Sequence, residues 1–156
     1  MEQETMVALG KAGAYCAIAF SAVGSSIGTG IAGTSALGAW KKCYVYGKPP
    51  PFQLAVFTSA PMSQTIYGMI LMTLISDKIQ AGAVMYWPLY LAIGIAGGIA
   101  MGTSAWFQGA AGAGACDSYA ETNKGFTNNL LILGIIETVA LFAMVFAIVL
   151  LNTIKT

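Results

Sequence analysis

Hydrophobic and polar residues are sorted into long blocks along this chain rather than interleaved. Four apolar runs, at about 8–40, 52–76, 84–117 and 127–153, are divided by short polar stretches. A hydrocarbon core of about 30 Å needs about 20 apolar residues as helix, and each run is long enough. After the first run, KKCYVYGKPPP clusters Lys41, Lys42 and Lys48 with three prolines that forbid helix. Asp77 and Lys78 mark a short polar turn after the second run, and DSYAETNKGFTNN precedes the fourth. The expected fold is an all-α membrane protein, four transmembrane helices forming two hairpins over residues 1–80 and 81–156.

The hairpins resemble each other. SAVGSSIG from Ser21 aligns with SAWFQGAA from Ser104 at an offset of 83, which pairs Ser25 with Gln108. An offset of 75 pairs Met62 with Glu137, Ser63 with Thr138 and Met69 with Met144. On this reading the chain is a duplicated hairpin whose second copy alone keeps a carboxylate. Of the 19 glycines, 14 fall in the first and third runs, so those helices are expected to pack closely on their neighbours. Leu, Ile, Met and Phe dominate the second and fourth, which are expected on the lipid side.

Composition narrows the class. Charged residues make up 8% of the chain, against about 25% in a soluble domain. With a net charge of +1, no arginine and no histidine, nucleic acid is not an expected partner and histidine metal sites are excluded. Cys16, Cys43 and Cys116 show no CxxC spacing and read as free thiols. Glu2 and Glu4 precede the first run where a signal peptide would be basic, so that run is read as a retained helix. The lysine cluster in the first loop, with Lys124 in the second, faces Lys11, Lys78 and Lys155 on the other side. That bias puts the hairpin loops in the cytoplasm and the termini outside. The chain carries no P-loop, so any ATP chemistry lies elsewhere.

One carboxylate remains to be explained. Glu137 sits near the middle of the fourth run, where a charge costs about 2.5–3.5 kcal/mol even on lenient scales. Three and four residues away its own helix offers only Leu133, Gly134, Ala140 and Leu141, so its partners must come from other helices. Depth supplies them: Glu137 lies ~16 Å in from Phe126, Gln108 ~15 Å in from Ser118 and Gln64 ~20 Å in from Pro51. Ser63, Gln64 and Tyr67 share one helical face. A carboxylate with amide and hydroxyl oxygens suits a hard cation. Pro61 frees the Phe57 carbonyl, and the Ala60 carbonyl beside it becomes a further candidate ligand. The competing reading makes Gln64 and Gln108 interhelical glue.

The residues FSAVGSSIGTGIAG, PMSQTIYG, WFQGAAGAG and IIETVAL together resemble the duplicated proteolipid subunit of V-type ATPases, over essentially the whole chain. The resemblance is strongest to the bacterial sodium-translocating members. It implies a homo-oligomeric rotor ring in a cell membrane, with identical copies, a stator subunit with half-channels and central-stalk subunits at the cytoplasmic loops as partners. It further implies Na+ as cargo, held by Glu137, Gln108, Gln64 and Ser63, with Tyr67 and the Ala60 carbonyl completing the site. Ser63 stands where threonine is usual in that family. H+ is the alternative cargo. A self-contained channel or a tetraspan scaffold are the alternatives of other classes.

Overall fold

A computed structural model describes residues 2–154, which leaves Lys155 outside the described residues. Among these residues every regular element is a helix: α1 Gln3–Val45, α2 Leu54–Ser59, α3 Ser63–Gln80, α4 Trp87–Thr122 and α5 Phe126–Asn152. Three of them, α1, α4 and α5, are long and apolar enough to cross a membrane, α4 counted with the turn before it. The second apolar run is broken. A 3-10 turn at Ala60–Met62, with Pro61 inside it, separates α2 from α3, and neither piece is by itself both long and apolar enough. Proline has no N–H and its ring crowds the preceding turn, which accounts for the break. The Phe57 carbonyl it releases lies against α4, where a β-carbon on Gly112 would fall 2.8 Å from that oxygen.

The helices also overrun the apolar blocks. At 1.5 Å per residue the 43 residues of α1 reach about 64 Å, twice a hydrocarbon core, so its ends project into water. There polar residues can stay helical. Asp77 and Lys78, expected in a turn, form the last turn of α3, and the chain reverses at Ala81–Ala83. Most of DSYAETNKGFTNN is helical as well, because Asn123 (φ 53°) and Gly125 (φ 79°) reverse the chain within three residues. Both adopt the left-handed backbone that ends helices and that these two residue types tolerate. Beside this reversal Lys42 Nζ stands 3.5 Å from Asp117 and 3.8 Å from Glu121.

Packing follows the glycines. α1 and α4 run against each other along most of their length, with Gly13 on Gly94, Gly24 on Gly102 and Gly28 on Gly109. A β-carbon on Gly13 would sit 2.5 Å from the Tyr90 carbonyl oxygen, and one on Gly98 2.7 Å from that of Cys16. Such approach is open to glycine alone, as the small-residue runs led one to expect. α3 packs on α1 and α5 on α4, with Ile66, Met69, Phe142 and Phe146 facing outward.

Two apolar clusters result. Near the termini, Leu71, Ile75, Tyr90, Met101, Ala140 and Leu151 pack together. Near the loops, Leu54, Phe57, Cys116, Tyr119 and Leu133 form the other. Phe57, Tyr119 and Phe126 there make a ring cluster with centroids 5.4–6.0 Å apart. Between the clusters lies a polar layer in which Ser21, Ser25, Gln64, Ser104 and Gln108 are all buried.

Candidate ion-binding site

The polar layer draws side chains from α3, α4 and α5, each for a local reason. On α3, Ser63 and Gln64 open the helix immediately after the proline turn, and Tyr67 follows one turn later on the same side. On α4, Ser104 and Gln108 are one turn apart on one buried face. On α5, Glu137 lies between Leu133 and Ala140, which are buried against the neighbouring helices.

These groups form a directed chain of hydrogen bonds. Ser63 Oγ donates to Gln64 Oε1 at 3.2 Å, and Gln64 Nε2 donates to Gln108 Oε1 at 2.8 Å. Gln108 Nε2 donates onward to Glu137 Oε2 at 3.4 Å and to the Leu133 carbonyl at 3.0 Å. From the other side Tyr67 Oη donates to Glu137 Oε1 at 2.6 Å. At 2.6 Å the Tyr67 bond is at the short end of the O–H···O range. The fixed dipoles thus converge on the carboxylate. Both glutamines are fully buried, while Glu137, Tyr67 and Ser63 are half-buried on the flank between α3 and α5.

All six residues singled out from sequence therefore occupy one level of the fold. The Ala60 carbonyl is there too, accepting from Ser63 Oγ at 3.2 Å. Two partners escaped sequence reasoning. Ser104 Oγ donates to the Ile136 carbonyl at 2.9 Å and so ties α4 to α5 directly beside Glu137. The Leu133 carbonyl shares the Gln108 amide. The 83-residue repeat pointed at Ser104 through its match with Ser21, but Ser21 bonds back to its own helix at Ala17, 2.6 Å away. A repeat locates a position without fixing its partner.

The oxygens gathered here, from a carboxylate, two amides, a hydroxyl and a main-chain carbonyl, are the donor set of a hard monovalent or divalent cation. Among the described residues the hydrogen bonds of this site involve no cysteine, and Cys116 packs in the loop-side apolar cluster.

A family model that describes the C subunits of ATP synthases matches residues 91–150, the stretch that carries Ser104, Gln108 and Glu137. The A-type ATP synthase subunit K of Methanocaldococcus jannaschii is 35% identical over 144 residues. That alignment covers 92% of this chain and 61% of the relative, so the chain spans about three fifths of the relative's length. The matched segment carries Glu137, and the similarity to the A-type subunit K extends over both halves of the chain.

Proposed function

We propose that the chain is the repeating unit of a rotor ring in an A/V-type ATPase and carries one cation per copy at Glu137. In this reading α2 and α3 together make the fourth membrane crossing, the broken helix counting as one span. Copies associate side by side, a stator subunit loads and unloads each site through half-channels, and central-stalk subunits grip the cytoplasmic loops. The termini face outward. ATP is hydrolysed or made by other subunits, and this chain contributes no catalytic group.

The observation that carries the reading is Glu137, held in a long apolar helix by Tyr67 at 2.6 Å and Gln108 at 3.4 Å, with Gln64 and Ser63 behind them. An ionised glutamate facing lipid is costly, so the ring turns past lipid only when the carboxylate is neutralised by its cargo. Moving that cargo through the potential exchanges about 2.3 kcal/mol per 100 mV, which is the coupling. Na+ is the cargo we favour, with Glu137, Gln108, Gln64, Ser63 and the Ala60 carbonyl supplying oxygens and Tyr67 orienting the carboxylate.

A specific observation favours protons as the second reading: Gln108 turns its nitrogen, not its oxygen, toward Glu137. A carboxyl that only gains and loses H+ needs no other oxygen near it. Carbodiimide labelling of Glu137 in detergent-solubilised rings separates the two. Slower labelling with sodium, but not with potassium, means a sodium site. Labelling that tracks pH and ignores sodium means a proton carrier, with the glutamines holding helices together.

A further inference from the structure

Within the polar layer one group stands apart. Ser25 Oγ is inaccessible to solvent and has no hydrogen-bond partner among the described residues, although Ser25 is only 5% exposed. A buried hydroxyl without a partner is rare and asks for an explanation. A serine on a helix can bond back to the carbonyl four residues earlier, as Ser21 does to Ala17, so the lack is not forced by the helix.

Its position follows from the contacts around it. α1 and α3 run antiparallel, with Ser21 against Gly68 and Gly28 against Pro61. Ser25 falls between those two contacts on the same face of α1. On α3 the residue one turn from Gly68 toward Pro61 is Gln64. Ser25 is thus level with Gln64. The 83-residue repeat independently pairs Ser25 with Gln108, the other amide-bearing position of the layer.

The hydrogen bonds of the layer say what such a hydroxyl is for. Gln64 Nε2 donates to Gln108 Oε1 at 2.8 Å, and Gln64 Oε1 accepts from Ser63. A cation at Glu137 needs both amide oxygens. Turning Gln108 Oε1 to the cation removes the acceptor that Gln64 Nε2 uses. Inside a dry helix bundle an amide N–H without an acceptor is costly, and it would oppose binding. We infer that Ser25 is a positioning residue of the cation site: its hydroxyl accepts the Gln64 amide when the Gln64 and Gln108 oxygens turn to the cation. The serine proton then goes back to the Ser21 carbonyl of its own helix. This rests on the cation reading given above.

The test is Ser25→Ala, which removes one atom and suits a helix. Its readout is the sodium concentration that half-protects Glu137 from carbodiimide in purified rings. Wild type, Ser25→Ala, Gln64→Ala and the double variant are compared, together with the sodium-free labelling rate of each. Ser25→Ala is expected to require about tenfold more sodium with an unchanged sodium-free rate, and to add nothing further in the Gln64→Ala background. A hydroxyl that merely packs, or holds a water, leaves the sodium requirement unchanged, and that result overturns the assignment while sparing the cation site. An equal loss in the Gln64→Ala background also overturns it, since Ser25 would then act independently of Gln64. If wild-type labelling ignores sodium altogether, the cation reading and this inference both fall. Should Ser25→Ala rings assemble poorly, the thermal shift that sodium gives wild-type and Ser25→Thr rings decides: the threonine hydroxyl is expected to keep that shift, and its loss with intact assembly overturns the role.

Discussion

Consider the bond between the two buried glutamines. Gln64→Leu removes the donor to Gln108 Oε1, and Gln108→Leu removes the acceptor of Gln64 Nε2. Each single change strands one polar atom in a fully buried side chain, at a cost of about 1–3 kcal/mol. Making both changes strands neither. Leucine fills nearly the same volume as glutamine, the Leu133 carbonyl keeps its helical bond, and Glu137 keeps Tyr67 at 2.6 Å. The double variant is therefore expected close to wild type in stability, with a coupling energy of at least about 2 kcal/mol between the sites. Thermal or denaturant unfolding of the four proteins, purified in detergent without sodium, measures this directly. The same double variant should lose all sodium protection of Glu137. Additive destabilisation, with the double variant lower than either single, would refute the argument that the pair is held by mutual satisfaction.

Other outcomes follow from the same geometry. Glu137→Gln keeps an oxygen for the Tyr67 hydroxyl and should assemble normally, but sodium should no longer stabilise it and the parent complex should not pump; pumping that survives would remove Glu137 from the transport path. Gly98→Val places a branched side chain where a β-carbon already meets the Cys16 carbonyl at 2.7 Å, so assembly yield should collapse. Gly114→Ala, which meets nothing within 4 Å, should be stabilising by up to about 1 kcal/mol, and a lower melting point would contradict that packing. Lys42→Ala breaks two ion pairs whose side chains are more than 60% exposed, and a change above about 1 kcal/mol in unfolding would show them to be stronger than surface pairs.

How much of this was legible in the sequence depends on the kind of signal. The level shared by Glu137, Gln108 and Gln64 was readable because helical rise is constant, and the freed Phe57 carbonyl because Pro61 lacks a donor. The close packing of α1 and α4 was readable because composition separated the two kinds of helix. Helix ends were not. Hydropathy reports where the bilayer stops favouring apolar residues, whereas α3 and α4 continue through Asp77 and Asp117 until Gly82 and Asn123 turn the chain. Nor could sequence tell that Gln108 points its nitrogen at Glu137, that Ser104 reaches the Ile136 carbonyl, or that Ser25 is left without a partner. Those depend on the rotation of one helix against another by a few tens of degrees, which residue types leave free.

The three aromatic rings above the polar layer bear on how anything arrives there. Phe57, Tyr119 and Phe126 close the axial route from the hairpin loops, and Leu71, Ile75, Met101 and Ala140 close it from the opposite end. The flank between α3 and α5 is open by comparison, with Glu137, Tyr67 and Ser63 half-buried and Met62 and Thr138 exposed. On the proposed reading the carboxylate is a berth approached from that flank, with packed side chains among the described residues on either side of it along the helix axes. If the proposed cargo site is right, whatever abuts that flank governs traffic: hydrocarbon would shut the berth, and a wet protein surface would open it.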